Sequence, residues 1–328
     1  MVKNTKVLVT GAAGFVGSHL SKRLEKEGYK LLLIDDFSRG KQKYLDYLNV
    51  KEKVLNIDLR HNNFDDVFHG VDTVYHTAGK IGGNQYLHGS PLNELTALQD
   101  NMAIDRNVFK ACINNKVRKI IYTSSISVYN TAKQNTFTDA MFREDDIWRE
   151  AIDPEGGYGW AKYIGELQLK MLSQNGTKVG VTRIFKSYGP CDDYSEESGQ
   201  VVCSLMRKAI NYPKEKYVLW GDGTVTRCLV YIDDLIDGIM ELSHYIDKES
   251  LVVNLGGNEP YTMRHLATQI KKISNKNIDI ENDMGKPVGV KSRIPVLELA
   301  EEKLNWKPTT SLEEGLKKTY QWMKEDMK

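Results

Sequence analysis

The sequence predicts an α/β protein with a doubly wound parallel sheet and a smaller C-terminal lobe. Three observations carry this: short β-branched apolar runs recur at a regular beat through the first half, stretches with three- and four-residue apolar spacing separate most of them, and after about residue 186 the beat becomes irregular. Such alternation is the pattern of βαβ units whose sheet is covered on both faces.

The elements follow in order. KVLVT at 6–10 predicts the first strand, and the stretch 15–28 after a glycine turn predicts a helix. KLLLID at 30–35, KVLNID at 53–58 and TVYHTA at 73–78 predict three further strands, and apolar spacing predicts a helix over 93–115. KIIYTSS at 119–125, a helix over 158–174 and KVGVTRIF at 178–185 complete the regular part. Beyond it, 186–226 reads as loop-rich with one helix near 199–211; DDLIDGIMELSHYI reads as a helix, and ELAEEKLNW and LEEGLKKTYQWMKEDM as two more. With no Pro/Gly/Ser-rich linker and no internal repeat, residues 1–186 are expected to form the sheet domain and 187–328 mainly the second lobe, segments near 226–245 returning to the first.

Composition narrows the function classes. The chain has 328 residues, 41% hydrophobic and 27% charged, enough for a large core. A net charge of +1 without a Lys/Arg block gives no electrostatic case for a nucleic-acid or membrane partner. The start, MVKNTKVLVTG, lacks a signal-peptide pattern, and no apolar run approaches the ~20 residues that span a bilayer, so a cytoplasmic location is expected. Cys112, Cys191, Cys203 and Cys228 lack metal-site spacing; no metal site and buried free thiols are the expectation.

Two stretches carry chemistry. In VTGAAGFVGSHL, Gly11, Gly14 and Gly17 stand between a predicted strand and a helix opened by Phe15 and Val16. Glycines let a pyrophosphate approach the backbone, and the helix N-terminus offers N–H groups and a positive dipole end. Asp35 ends the second run, where a carboxylate accepts hydrogen bonds from the adenosine ribose; this Rossmann-type pattern favours NAD over NADP. Arg39 is the residue that could meet a 2′-phosphate, but Asp35 and Asp36 would repel one. In YGWAK, Tyr158 and Lys162 are four apart and share a helix face. An ammonium and a nicotinamide cation favour the phenolate, which can take a proton from a hydroxyl while hydride leaves the same carbon; Ser125 can bond the same oxygen.

Together with HTAGK at 76–80, YGP at 188–190, GDGTVTRCLVYIDD at 221–234 and KLNWKP at 303–308, these stretches resemble the extended short-chain dehydrogenase/reductases of the nucleotide-sugar epimerase/dehydratase type over nearly the full length. Within that family, GKIGGN at 79–84 and WGDGTVTR at 220–227 are most similar to the GDP-mannose 3,5-epimerases. The resemblance implies NAD as cofactor, a nucleotide-diphosphate sugar as substrate and a homodimer through helices 93–115 and 158–174. It implies that Asp58 and Leu59 border the adenine, that Lys80, Gly82 and Asn101 line the nicotinamide and sugar region, and that Arg227 and Arg293 hold phosphate.

Departures from the family pattern bear on the reaction. Dehydratases and decarboxylases of this type place an acidic residue two after Ser125, and the 3,5-epimerases a Cys; here Ser127 stands there. Ser195 falls where the 3,5-epimerases carry a Lys, so both acid/base groups for C3 and C5 are expected to be missing. Lys186 replaces an Asn that contacts substrate, where it can neutralise an anion or act as an acid/base. Asp234 is expected to be structural. The sequence therefore predicts an epimerase inverting C4 through a 4-keto sugar, Ser125, Tyr158 and Lys162 being catalytic. Its rivals are a 3,5-epimerase relative with substituted groups, a 4-ketoreductase or dehydrogenase, and a silent NAD-binding scaffold.

Overall fold

A computed structural model describes residues 3–61, 63–83, 87, 89–135, 140–286 and 288–328. Its centre is a seven-stranded, all-parallel sheet of β1 (Lys3–Thr10), β2 (Tyr29–Asp35), β3 (Val54–Asn56), β4 (Thr73–His76), β5 (Lys119–Ser125), β6 (Lys178–Ile184) and β7 (Leu251–Leu255), in the order β7-β6-β5-β4-β1-β2-β3. All seven residues of β5 are buried, as a central strand covered on both faces requires.

The larger helices are α1 (Phe15–Lys26), α2 (Pro91–Asn114), α3 (Gly156–Gln174), α4 (Val201–Asn211), α5 (Ile232–Tyr245), α6 (Met263–Ser274) and α7 (Leu312–Asp326). Local chemistry sets where they start. Ser90 caps α2 by accepting from the Asn93 N–H, and Pro91 occupies the first turn, where its missing N–H costs nothing. Glu155 precedes α3 without capping it; the Gly157 N–H is instead bonded by the Glu94 carboxylate from α2. On one face of the sheet, α2 and α3 cover a cluster that includes Leu8, Val74, Ile120 and Tyr122. On the other, Val7, Val9 and Leu33 join Leu235, Ile239, Trp322 and Met323, so one core runs from the sheet into the C-terminal half.

Of the segments near 226–245, helix α5 packs against α1 and β6, whereas the strand Thr226–Cys228 pairs with Pro260–Thr262 outside the large sheet. The strand that joins the large sheet is β7, whose LVVNL sequence is too short to stand out beside the irregular stretches around it. The run 53–58 yields only three strand residues, Val54–Asn56, while the Ile57 N–H bonds the Asp35 carbonyl at 3.1 Å and Ile57 and Asp58 line the cleft.

Candidate functional site

A cleft of about 520 Å³ runs along the C-terminal ends of β1, β2, β4, β5 and β6 and under the C-terminal half. Its floor is the glycine turn. Gly11 has φ +67°, and a Cβ there would stand 2.8 Å from the Ala78 backbone; one at Gly17 would stand 1.9 Å from the Gly11 carbonyl oxygen. Gly14 begins α1 with no side-chain cap, leaving N–H groups at Phe15, Val16 and Gly17 facing the cleft. Each oxygen of Asp35 accepts one backbone N–H, Oδ2 from Ala13 at 2.9 Å and Oδ1 from Phe37 at 2.8 Å. Each therefore keeps a lone pair for a ribose hydroxyl, although burial pushes the carboxyl above its usual range. A bare cradle beside such a carboxylate fits the diphosphate and ribose of NAD. Arg39 lines the same cleft and is paired with Asp193 at 2.7 Å. Asp58 lines the cleft in a bidentate pair with Arg60, whose hydrogen bond holds its carboxyl below the usual range. The Leu59 carbonyl is fixed by Asn107 at 3.0 Å.

Ser125, Tyr158 and Lys162 meet at the middle of the cleft. Ser125 ends β5, and Tyr158 and Lys162 rise from the first turns of α3. Burial raises the Tyr158 phenol above its usual range, and the neighbouring Ser125 hydroxyl opposes the rise. Lys162 is 2% exposed, its Nζ 4.4 Å from the Tyr122 ring centroid. Burial lowers the ammonium, and Asp105 and Glu166 oppose it. Asp105 accepts from Tyr122 at 2.6 Å, and its other oxygen lies 3.0 Å from His76 Nε2, which places a neutral His76 as the second donor.

The sugar end holds Lys80, Gly82, Ser127, Lys186, Arg227 and Arg293, all lining the cleft. Lys80 Nζ is 3.1 Å from Asp100. Lys186 is bonded to Gln200, and burial lowers its ammonium with help from Arg227 and Arg293. Arg227 donates to the carbonyls of Thr226 and Val290, both at 2.7 Å. Arg293 reaches Gln134 at 2.8 Å and is paired with Glu155.

One expectation is corrected. Asn101 is fully buried and does not line the cleft; its amide bonds the backbone N–H and C=O of Lys80 and the Ala97 carbonyl, tying the 79–83 loop to α2. Ser127 lines the cleft, and its Oγ donates to Glu155 at 3.0 Å. Sequence reasoning missed Glu155 because a Glu opening a helix reads as a partner for the dipole. Ser195 does not line the cleft and bonds Ser198 at 2.9 Å. Asp234 is structural, accepting from Thr309 and from the Thr310 N–H. Asn84, the end of the GKIGGN match, lies outside the described residues. All four cysteines are free and buried. Among the described residues no cluster of metal-ligating side chains occurs, and no helix is long and apolar enough to cross a membrane.

The chain is similar in sequence and fold to known proteins. GDP-mannose 3,5-epimerase of Arabidopsis thaliana is 28% identical over 326 residues, which cover 99% of this chain and 84% of that protein. The structure of UDP-glucose 4-epimerase of Thermotoga maritima with UDP-glucose is 25% identical, covers 99% of this chain and 100% of its own, and has a TM-score of 0.85. The structure of UDP-glucuronic acid 4-epimerase of Bacillus cereus with UDP-glucuronic acid and NAD is 26% identical, covers 98% and 99%, and has a TM-score of 0.82. The sequence pattern described as the NAD dependent epimerase/dehydratase family matches residues 7–256, from the first strand of the sheet to its last, and the chain belongs to that family.

Proposed function

We propose that this protein inverts C4 of a nucleotide-diphosphate sugar through a transient 4-keto sugar, with NAD kept bound. The observation that carries this is the convergence of Ser125, Tyr158 and Lys162 on one cleft, from the end of β5 and the first turns of α3. The bound NAD would supply reversible hydride exchange with C4 and a positive ring that favours the Tyr158 phenolate. Tyr158 takes the C4 hydroxyl proton and later gives it back. Ser125 holds the reacting oxygen, and Lys162 stabilises the phenolate and binds the nicotinamide ribose. Gly11, Gly14, Phe15, Val16 and Gly17 seat the diphosphate of NAD, Asp35 its ribose, and Asp58, Leu59 and Lys80 flank it. Gly82, Ser127 and Lys186 face the sugar. Arg227 and Arg293 hold its diphosphate, as bidentate guanidinium groups suit.

Residues 1–186 supply the NAD site and the sugar-facing Gly82, Ser127 and Lys186, and 187–328 add Arg227 and Arg293 for the sugar's diphosphate. The solved 4-epimerase relatives support inversion at C4. A homodimer through α2 and α3 is part of the proposal, supported by exposed Leu95, Met102, Trp160 and Met171 on those helices.

The test incubates purified protein with UDP-glucose, UDP-glucuronate, UDP-N-acetylglucosamine and GDP-mannose in deuterium oxide and follows proton NMR. The expected result is a 4-epimer that keeps its own C4 hydrogen. Solvent deuterium at C4, or no 4-epimer from any of the four, overturns the reading.

A further inference from the structure

Two buried charges meet the same tyrosine. Lys162 of α3 places its Nζ 4.4 Å from the centre of the Tyr122 ring, and Asp105 of α2 accepts the Tyr122 hydroxyl on Oδ2 at 2.6 Å. The other carboxylate oxygen, Oδ1, is 3.0 Å from His76 Nε2, and His76 Nδ1 is 2.7 Å from Thr10 Oγ1, which accepts the Ala78 N–H at 3.2 Å. The Thr10 hydroxyl hydrogen is therefore directed at Nδ1, and Nε2 carries the proton donated to Asp105. Burial keeps His76 neutral and Tyr122 a phenol. Asp105 thus has two neutral donors and, among the described residues, no Lys or Arg within ion-pair distance. A buried carboxylate in that position needs a compensating charge. The titratable groups that face Lys162 are Asp105 from α2, His76 from β4, Tyr122 from β5, and Tyr158 and Glu166 from α3. Of the two carboxylates, Glu166 is paired with Arg183 at 2.7 Å and accepts the Ser124 hydroxyl, so its charge is already balanced. Asp105 is the one left for Lys162.

We propose that Asp105 is a positioning residue for the catalytic group: acting partly through Tyr122, it seats Lys162 and holds it as a cation beside Tyr158. The inference rests on the part that the proposed function gives to Lys162. A phenol that donates to a carboxylate gains electron density on its ring face, and the Lys162 ammonium sits over that face. Burial pushes Lys162 toward the neutral amine, which can neither stabilise the Tyr158 phenolate nor be drawn to the ring, and the Asp105 charge opposes that push. The sign follows. Without the Asp105 charge, Lys162 loses its proton at lower pH, and the site fails earlier on the alkaline side.

The experiment titrates Lys162 by NMR in the NAD-loaded protein, with lysine carbon-13 labelled at Cε and the resonance assigned by its loss in Lys162→Met. Asp105→Asn removes the charge and keeps the shape. The amide oxygen accepts from Tyr122, and the amide N–H donates to His76 Nε2 once the imidazole proton moves to Nδ1, so the buried chain stays bonded. This variant is expected to lower the proton affinity of Lys162 by about tenfold or more. It is also expected to move the alkaline loss of nicotinamide reduction, followed by near-ultraviolet absorbance with the same four nucleotide sugars, to correspondingly lower pH. Tyr122→Phe disturbs the same buried chain but keeps both charges and the ring, and is expected to lower the affinity by only about threefold. An unchanged Lys162 titration in Asp105→Asn overturns the proposal. Equal losses in the two variants also overturn it, since disturbed packing would then be the cause rather than the missing charge. No nicotinamide reduction by any of the four sugars overturns the C4 reading, while the Lys162 titration still decides the role of Asp105.

Discussion

A methyl group at Gly17 would stand 1.9 Å from the Gly11 carbonyl oxygen and 2.7 Å from its carbon, and both belong to backbone that cannot swing aside. Gly17→Ala is therefore expected to destabilise the fold by about 2 kcal/mol and to lose the NAD carried through purification; urea unfolding and nicotinamide content of the isolated protein check both effects. His19, two residues further along α1, makes a pH-dependent contribution. Its Nε2 meets the Pro190 carbonyl at 3.0 Å, and burial lowers its pKa to about 4, the Pro190 contact opposing. With the folded value below the unfolded 6.5, the unfolded chain takes up the extra proton first. The stability contributed by neutral His19 is thus complete above pH 6.5 and declines as pH falls toward 4, by up to about 3 kcal/mol. The difference in unfolding free energy between the parent and His19→Gln should shrink over that window, and a difference independent of pH would refute the assignment. At this scale Gly17 was legible, since its neighbour is six residues away. The role of Asn101 was not, because its partner Lys80 reaches it from another loop.

At the scale of elements, the site depends on how α2 and α3 seat against the sheet. Asp105 of α2 is 1% exposed and joins His76 of β4 to Tyr122 of β5, and Thr10 of β1 meets His76 Nδ1 at 2.7 Å. Gly165 of α3 leaves room for this chain, for a Cβ there would stand 2.6 Å from the Tyr122 oxygen and 2.7 Å from Asp105 Oδ2. Asp105→Ala would leave two buried donors without an acceptor. A loss of about 3 kcal/mol is expected in denaturant unfolding, together with a looser Lys162, whose ammonium lies over the Tyr122 ring. An unfolding midpoint equal to the parent's would show that water replaces the carboxylate. The sequence pattern placed these elements well: helices expected over 93–115 and 158–174 are Pro91–Asn114 and Gly156–Gln174. Their seam was hidden, because Gly165 and Asp105 occupy separate helices and neither breaks a local pattern.

For the whole molecule, the sheet and the C-terminal half share one core, so the cleft between them is built on a continuous packed layer. Apolar side chains left outside that core define the proposed dimer face. Leu95 and Met102 are seven apart on α2, on one side of the helix, and are 47% and 38% exposed; Trp160 of α3 is 39% exposed. Trp160→Glu is expected to shift the light-scattering mass from twice the 37.3 kDa chain to a single chain, and a monomeric parent would refute the face. The sequence by itself determined the parallel sheet, the glycine turn, Asp35 and the Tyr158–Lys162 pair. Each is a periodicity or a spacing confined to one strand–turn–helix unit, so short-range geometry fixes it. Only the tertiary structure decided that Glu155 stands against Ser127, that Arg293 pairs with Glu155, and that Asn101 serves the loop rather than the cleft. Those contacts arise where the ends of separate elements converge on one edge of the sheet, and their distance in sequence bears no relation to their distance in space.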